Sequence, residues 1–238
     1  MVQICDMHGH FLPGMDDGCK DVQESVELLR YCYREGVRMM FATPHYYPVE
    51  SAEEFLRRRE VAYNELQAYI DSNGITDIPQ IRLGAEVAYR QGLNHLEGLE
   101  KLCLGNSKYL LLELPFEKWS NSLLRDVSNI CCARGIIPIF AHIERYLSLQ
   151  SKDVLSRLLQ VDGLVQMNAG ALLRFPGSLR CRALIRNGVV QLLGSDCHNM
   201  QTRKPNLHLA AQKLVKYKLS SKLEEMAELS CHIFCNAK

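Results

Sequence analysis

Residues 21–45, DVQESVELLRYCYREGVRMMFATPH, contain the unit that decides the fold of this chain. Apolar side chains spaced three or four residues apart predict an amphipathic helix over Asp21–Glu35. They are Val22, Val26, Leu29 and Tyr33. Gly36 ends this helix, and the apolar run Val37–Thr43 that follows it predicts a β-strand. An amphipathic helix joined to a short apolar strand is the repeating element of an α/β protein.

The same alternation continues along the whole chain. Strands are predicted at Val2–Met7, Val37–Thr43, Ile81–Val87, Tyr109–Leu114, Ile136–Ala141, Gly163–Met167 and Val189–Leu193. After the first helix, further helices are predicted at Ala52–Ser72, Leu93–Cys103, Asn121–Arg134, Asp153–Gln160, Leu179–Asn187, Pro205–Lys216 and Ser221–Cys235. Seven strand–helix pairs predict a parallel sheet with right-handed crossovers, and they favour a closed barrel over an open sheet. No linker is visible, so we predict a single domain over residues 1–238.

The bulk composition argues against several classes of protein. The 238 residues carry a formal net charge of +1, which gives no electrostatic basis for binding nucleic acid or a membrane surface. No run approaches the roughly 18 consecutive apolar residues of a membrane span, and the start has no secretory signal pattern. The 10 cysteines are irregularly spaced and read as reduced thiols. We therefore expect a cytoplasmic protein without membrane insertion, and the sequence leaves its oligomeric state open.

Most predicted strands end in side chains that can bind a metal ion. These ends are Asp6-Met7-His8-Gly9-His10, Thr43-Pro44-His45, Gly84-Ala85-Glu86, Leu112-Glu113-Leu114, Ala141-His142-Ile143-Glu144-Arg145, Met167-Asn168 and Gly194-Ser195-Asp196-Cys197-His198. In a parallel α/β barrel the carboxyl ends of the strands converge on one face, where active sites lie. Imidazole and carboxylate ligands without thiolate suit Mn²⁺, Fe²⁺ or Zn²⁺ better than Ca²⁺. The sequence therefore predicts a metal centre at this face.

The spacing of the histidines supports this prediction. His8 and His10 alternate across Gly9, so in an extended strand both imidazoles point to the same side. We interpret Gly9 as leaving room for a ligand to approach. Five of the eight histidines lie at strand ends. The other three are read as surface or packing residues: His95, His208 and His232.

Several polar residues have more than one reading. Asp6 is either part of the centre or a core acid satisfied by backbone N–H groups. Asp16-Asp17-Gly18 has the composition of a turn, so Asp17 is not assigned as a ligand on this ground alone. Glu113 lies between two leucines, where a metal partner would offset the cost of burying its charge.

A cysteine-based phosphatase is an alternative that the sequence also contains. Cys32 to Arg38 and Cys197 to Arg203 both match the Cys-x5-Arg spacing of a thiol phosphate loop. Cys32 lies within a predicted helix, where backbone N–H groups are already bonded. The loop after Cys197 has no glycine to wrap around a phosphate. A thiolate nucleophile is therefore disfavoured.

Together these motifs resemble those of the polymerase and histidinol phosphatase (PHP) superfamily. Within it, the chain is most similar to the manganese-dependent protein-tyrosine phosphatases of bacterial capsule and exopolysaccharide loci. The motifs that carry the resemblance span the chain: residues 6–14 (DMHGHFLPG), 16–18 (DDG), 42–45 (ATPH), 84–86 (GAE), 141–145 (AHIER) and 194–198 (GSDCH). The groups within the first 45 residues are the specific ones, since His-x-His alone is a weak signal.

The resemblance implies a distorted seven-stranded (β/α)7 TIM-like barrel of PHP type with three divalent metal ions, Mn²⁺ first and Fe²⁺ or Zn²⁺ as alternatives. The implied ligands are His8, His10, Glu86 and Asp196 for one ion; Glu86, Glu113 and His142 for the second; and Asp17, His45 and His198 for the third. Arg145 and Arg203 correspond to phosphate-binding arginines. Gly9, where this branch more often has Ser or Cys, is a departure, as are Cys19 and Cys197.

The implied activity is phosphotyrosine hydrolysis by a metal-activated hydroxide. The implied partner is a phosphotyrosine-containing protein, namely a bacterial tyrosine kinase of capsular or exopolysaccharide biosynthesis. Other functions remain open: a small-molecule phosphatase of the histidinol-phosphate type, a nuclease module, or a kinase-binding protein without catalysis. The near-neutral charge disfavours the nuclease, and the full set of ligands disfavours lost catalysis.

Overall fold

The computed structural model describes residues 3–174 and 176–237. The strands are β1 (Met39–Ala42), β2 (His45–Tyr46), β3 (Gln80–Leu83), β4 (Glu86–Ala88), β5 (Tyr109–Glu113), β6 (Ile137–Phe140), β7 (Leu164–Asn168) and β8 (Leu192–Gly194). The α-helices are α1 (Val22–Arg34), α2 (Ala52–Ser72), α3 (Asn121–Arg134), α4 (Lys152–Leu158), α5 (Ser178–Arg186), α6 (Leu207–Lys216) and α7 (Ser220–Asn236). Val2, the predicted start of the first strand, lies outside the described residues, as do the two ends of the predicted domain.

The strands form a curved parallel sheet, so the predicted α/β class is confirmed. Six strands follow the order β2-β4-β5-β6-β7-β8, and β1 pairs separately with β3. Every ladder is parallel, and α2, α3, α4 and α5 connect β2 to β3, β5 to β6, β6 to β7 and β7 to β8. This arrangement brings the carboxyl ends of the strands to one edge.

The first predicted strand, Val2–Met7, is not a regular strand in the described residues. Its chain lies between β1 and β8, but it forms only two isolated parallel bridges, Asp6 with Met40 and Gly9 with Cys197. The Asp6 carbonyl accepts from Phe41 N and the Gly9 carbonyl from Thr43 N. Between these two hydrogen bonds the first segment advances by three residues, from Asp6 to Gly9, while the β1 segment advances by two, from Phe41 to Thr43. This mismatch is an irregularity of the β-bulge type, and it interrupts the ladder.

The predicted second strand is shorter in the structure, and the predicted third strand is interrupted. Val37–Thr43 contains β1, and β2 follows after a break beyond its predicted end, whereas Ile81–Val87 is divided between β3 and β4. Pro44 lies at the first break and has no N–H to donate to a ladder. Its carbonyl still accepts from Glu86 N at 3.1 Å, which keeps the two chains together across the break.

The helices agree with the prediction except at one place. The helix predicted over Leu93–Cys103 is instead two 3₁₀ turns, Leu93–His95 and Leu99–Leu102. Gly98 between them has φ +76°, a left-handed conformation that ends any continuous helix. Within the described residues, no helix has both the length and the apolarity that a bilayer crossing requires.

The two faces of the sheet bury separate clusters of apolar side chains. Alternate strand residues such as Phe41, Leu111 and Ile139 pack together, and α7 adds Phe234, whose ring meets Phe41 edge-on at 5.2 Å. The residues between them face the helices, as period-two alternation requires. Both clusters are apolar, so the polar side chains gather at the carboxyl edge instead.

Candidate metal centre

Glu86 is the hub of a buried cluster at the carboxyl edge. Its Oε2 lies 3.1 Å from His8 Nε2, 3.3 Å from His10 Nε2 and 3.0 Å from His45 Nδ1. Its Oε1 lies 2.9 Å from His142 Nε2. Glu86, at the start of β4, is 1% exposed. A single carboxylate thus faces four imidazoles that come from three different strand ends.

Asp196 closes the cluster from the opposite side. Its Oδ1 lies 3.7 Å from His8 Nε2, 3.6 Å from His10 Nε2 and 3.7 Å from His198 Nδ1. The Nε2 atoms of His8 and His10 are 2.9 Å apart, so both rings point into one space as the His-x-His spacing predicts. Asp196 and Glu86 therefore bracket this pair of imidazoles.

The remaining predicted ligands lie on two sides of this core. Glu113 Oε1, at the end of β5, is 3.2 Å from His142 Nε2. Asp17 Oδ1 is 3.1 Å from His198 Nε2 and 3.4 Å from His45 Nε2. All nine residues predicted as ligands are thus brought into one cluster.

Three sets of side chains in this cluster have ligand atoms close enough to share an ion. They are His8, His10 and Asp196; His10, Asp17, His45 and His198; and His45, Glu86 and Glu113. The first and second sets overlap the implied first and third ion sites. The last set contains His45 where the resemblance implied His142, which is nevertheless 3.2 Å from Glu113.

Unpaired polar atoms test whether a cation fits this cluster. Within the described chain, Glu86 Oε2, His45 Nδ1 and His198 Nε2 are buried without a hydrogen-bond partner. Glu86 Oε2 has three ring nitrogens within 3.3 Å, yet none is aligned to donate to it. Burying such atoms unpaired costs several kcal/mol in general. A divalent cation among these lone pairs would satisfy them, and imidazole with carboxylate is a donor set for Mn²⁺, Fe²⁺ or Zn²⁺.

The electrostatics of the cluster favour positive charge inside it. Burial alone would raise the pKa of Glu86, but the surrounding imidazoles hold that pKa well below its usual value. Burial would lower the pKa of His10, yet its hydrogen bond to Asp16 and the nearby carboxylate of Glu86 raise that pKa to about 10. The pKa of His142 rises to about 9, because the bonds to Glu113 and Glu86 outweigh burial. Without metal ions, protons therefore supply the positive charge.

Asp16 is a residue of the centre to which the sequence analysis gave no role. Its Oδ2 lies 2.7 Å from His10 Nδ1 and accepts from His45 N at 2.9 Å, while its Oδ1 accepts from Gly18 N at 2.9 Å. It fixes the ring of His10 with Nε2 turned toward Glu86, as outer carboxylates do for metal-binding histidines. The available signal was its place beside Asp17, which turn composition masked.

The backbone is strained at two of the candidate ligands. His142 has φ +34° and Asp196 has φ +53°, in the region that residues other than glycine seldom adopt. Each N–H is held, His142 N by Gln166 Oε1 at 2.6 Å and Asp196 N by the His8 carbonyl at 2.8 Å. Strain of this kind persists where the surroundings enforce it, and it concentrates at functional sites.

The structure decides between the interpretations that the sequence analysis gave for Asp6 and Gly9. Asp6 is a core acid: its Oδ1 accepts from Ser195 N at 2.8 Å and from His8 N at 3.3 Å. The interpretation of Gly9 as room for a ligand is wrong. A Cβ at Gly9 would meet the ring of Phe11 at 3.2 Å and Cys197 Sγ at 3.4 Å, on the side away from the imidazoles.

The thiol alternative lacks an accessible nucleophile. Cys32 is 1% exposed within α1, and Cys197 is fully buried. The three histidines read as surface or packing residues lie elsewhere: His208 pairs with Glu35 at 2.8 Å, and His95 and His232 are exposed.

Two arginines reach the edge of the cluster. Arg203 Nη2 is 2.7 Å from Asp196 Oδ1 and its Nη1 is 3.3 Å from Asp17 Oδ2. Arg145 contacts Asp196 Oδ2, which also accepts from Asn168 Nδ2 at 2.7 Å. Both guanidinium side chains are 36% exposed, so an anion arriving from solvent can reach them.

Two exposed aromatic rings flank the cluster. Tyr47 is 50% exposed and stacks on His45 with ring centroids 5.5 Å apart. Phe116 is 51% exposed and stacks on His142 at 5.7 Å. Flat apolar surface thus lies next to the anion-accessible edge.

The fold and the site together define an α/β protein with a candidate metal centre of histidines and carboxylates at the carboxyl edge of its parallel sheet. The family described as "Capsular polysaccharide synthesis, CpsB/CapC" matches residues 4–232. This chain belongs to the CpsB/CapC family, as the resemblance in its motifs predicts.

Individual relatives agree with this assignment. The chain is 31% identical to the tyrosine-protein phosphatase CpsB of Streptococcus pneumoniae, covering 94% of each chain. It is also 31% identical to the tyrosine-protein phosphatase YwqE of Bacillus subtilis, over 95% of this chain and 91% of the relative.

Solved structures support the fold. One is described as "YwqE from Bacillus subtilis and CpsB from Streptococcus pneumoniae, unique metal-dependent tyrosine phosphatases"; it matches with a TM-score of 0.84 and 25% identity, over 98% of this chain and 95% of that chain. The phosphotriesterase homology protein of Escherichia coli matches with a TM-score of 0.55 and 12% identity, over 98% and 99%. This second likeness concerns the fold alone.

Proposed function

We propose that this chain is a metal-dependent protein-tyrosine phosphatase. The observation that carries the proposal is the convergence of nine histidine and carboxylate side chains with two partly exposed guanidinium groups at one edge of the sheet. Metal ions held by such a cluster, together with the planar guanidinium groups of arginine, can bind a phosphate and stabilise the negative charge that develops as its ester bond breaks. The relatives named above are themselves called tyrosine-protein phosphatases.

We propose a ligand set for three divalent ions, with Mn²⁺ the first candidate. It consists of His8, His10, Glu86 and Asp196 for one ion, Glu86, Glu113 and His142 for a second, and Asp17, His45 and His198 for a third. Glu86 is the bridging candidate, since it faces imidazoles of all three sets. When bound, such ions lower the pKa of a coordinated water toward 7 and so supply a nucleophile.

The protein groups then position the ester. Arg145 and Arg203 would leave the carboxylates of Asp196 and Asp17 in part and bind phosphate oxygens through their planar forks. Tyr47 and Phe116 offer flat surface for an aromatic leaving group beside that phosphate. Phenolate is a tolerable leaving group, so no nucleophilic side chain is required.

The resemblance also motivates two finer proposals. The bridges of Asp6 and Gly9 to the chains on either side support a distorted seven-stranded barrel formed by this one domain. The names of the relatives support a phosphorylated tyrosine kinase of capsule synthesis as the substrate. A cytoplasmic location stays a prediction from the sequence.

The function is tested by turnover of p-nitrophenyl phosphate and of a phosphotyrosyl peptide. We expect activity to vanish with a chelator, to return with Mn²⁺, and to survive iodoacetamide treatment of the native protein, because Cys32 and Cys197 are buried. Glu86→Gln should remove both activity and bound metal. Activity that resists the chelator but is lost on alkylation would instead support a cysteine nucleophile.

A further inference from the structure

A cavity of about 400 Å³ opens beside the candidate metal centre. Its inner end is formed by Arg145, Arg203 and Asp196, the groups at the anion-accessible edge of the cluster. Its wall also carries three cationic side chains that form no ion pair with the cluster within the described chain, here called the outer cations: Arg174, Arg180 and Lys204. These three side chains play no part in holding the metal ligands, so the cavity has positive charge that the centre itself does not use.

The three outer cations are uncompensated. Arg174 and Lys204 lie in loops and Arg180 lies in α5, and all three are exposed. Within the described chain, none has a carboxylate within 4.0 Å. Arg174 precedes α5, Arg180 lies in its first turn, and Lys204 lies in the loop before α6, so the three do not form the charged face of a single helix. The wall carries five cationic side chains against the carboxylates of Glu144 and Asp196, and such an excess of positive charge raises the local concentration of anions.

One more polar group on the wall indicates what kind of anion fits. The Oδ1 atom of Asn206 is buried and has no hydrogen-bond partner among the described residues. The N–H of a peptide backbone is one donor that would satisfy this acceptor. Asn206 also precedes α6, whose first turn has no side-chain cap and whose dipole places positive charge there.

We propose that this cavity is a second anion subsite for the substrate peptide. It takes an anionic side chain close in sequence to the phosphotyrosine, either a carboxylate or a second phosphate, while Asn206 accepts from a peptide N–H. The inference rests on the proposed phosphatase function of the centre and extends it. It assigns the substrate class as phosphotyrosyl segments with acidic or multiply phosphorylated surroundings.

Three otherwise identical phosphotyrosyl peptides test this proposal with the metal-loaded full chain. Their flanking residues are glutamine, glutamate, or a tyrosine analogue that carries a non-hydrolysable phosphonate. We expect kcat/KM to be about tenfold higher for at least one anionic peptide than for the glutamine peptide, through KM. Rising salt should reduce the difference, since the contacts are exposed to solvent. The two anionic peptides distinguish carboxylate from phosphate recognition.

Substitutions of the outer cations test whether these residues cause the preference for anionic peptides. In Arg174→Gln/Arg180→Gln, and separately in Lys204→Gln, the ratio between anionic and neutral peptides should fall toward one. Arg186→Gln is the matched control, because Arg186 is exposed at the opposite end of α5 and does not line the cavity. It should keep the ratio of the original chain.

Two results would overturn the proposal: equal kcat/KM for all three peptides in the original chain, or a preference that both sets of variants retain. Binding of peptides whose phosphotyrosine is replaced by a phosphonate analogue is measured alongside. The binding measurement gives the ratio between anionic and neutral peptides even if the protein hydrolyses none of them. A lack of hydrolysis on every peptide would therefore contradict the phosphatase function, whereas equal binding of all peptides would contradict the anion subsite.

Discussion

Asp16 and Asp17 are neighbours in the chain and meet the histidines in different ways. Asp17 is 62% exposed in its side chain and faces His45 and His198 with one oxygen. Asp16 is 6% exposed in its side chain; its Oδ2 contacts His10 Nδ1 and accepts from His45 N, while its Oδ1 accepts from Gly18 N. The exposed acid is placed to bind an ion, whereas the buried one orients the rings that do so.

We expect Asp16→Asn to lower Mn²⁺ affinity by about 10- to 100-fold, the usual effect of losing an outer partner of a metal-binding histidine. An amide has one acceptor oxygen, so it cannot accept from Gly18 N, His45 N and His10 as the carboxylate does. Calorimetric titration measures the affinity. Asp162→Asn, at an exposed acid, is the control, and equal affinities in the two variants would show that Asp16 does not orient the site.

At this scale the sequence predicts ligands better than it predicts their supports. Eight of the nine candidate ligands are histidines and acids at predicted strand ends, and the ninth, Asp17, was named only through the family resemblance. The partners of those residues are fixed by three-dimensional contact: Asn168 meets Asp196 from 28 residues away, and Gln166 meets His142 from 24. The interpretation that Gly9 leaves room for a ligand was wrong, because the space beside Gly9 is filled by the ring of Phe11 and the thiol of Cys197.

Among the elements, β8 determines how closely two strand ends approach. A Cβ at Gly194, the last residue of β8, would lie 2.5 Å from His8 Cβ and 2.8 Å from Gln166 Nε2. His8 is a candidate ligand and Gln166 holds the strained backbone of His142. The absence of a side chain at Gly194 thus allows two strand ends to meet.

Gly194→Ala should therefore lower both the free energy of unfolding, by about 1–3 kcal/mol, and the affinity for Mn²⁺. Denaturant unfolding and metal titration measure the two effects. Gly177→Ala is the matched control, since its added Cβ would find nothing nearer than 3.7 Å and its backbone is helical. Unchanged unfolding and metal binding in Gly194→Ala would mean that the neighbouring strands move apart freely.

The helices and most strands could be predicted from the sequence, because hydrophobic periodicity and the residues that begin or end an element are local features. Ala52–Ser72 and Asn121–Arg134 match the predicted helices at both ends, where Ser51 and Ser120 accept from the first turn. The irregular first strand was not predictable, since its bridges depend on both neighbours at once. The predicted end of the second strand at Thr43 agrees with the break before Pro44, but the short strand β2 beyond it was not predicted.

For the whole molecule, metal binding should be linked to pH. Carboxylate partners raise the pKa of His10 to about 10 and that of His142 to about 9, despite burial. In the metal-free protein this shift stabilises the fold fully below the ordinary value of 6.5, and the effect is lost as pH rises toward 9 and 10. A metal ligand must be neutral, so each bound ion displaces protons and the affinity rises with pH over the same range.

Calorimetry in two buffers of different ionisation enthalpy measures the protons released at pH 7. We expect release of about one or two protons per chain and tighter Mn²⁺ binding at pH 8 than at pH 7. Equal observed enthalpies in both buffers would mean that His10 and His142 are already neutral without metal.

The central claim concerns a single cluster of nine side chains that holds divalent ions. Its most direct test is a crystal structure of the full chain grown with Mn²⁺, with anomalous difference density recorded at the manganese edge. We predict strong peaks within bonding distance of Glu86, His8, His10 and Asp196, and further peaks beside His142 and His198. The claim would be contradicted if the nine side chains were well ordered but showed no anomalous density between them, or if manganese were bound only elsewhere on the protein.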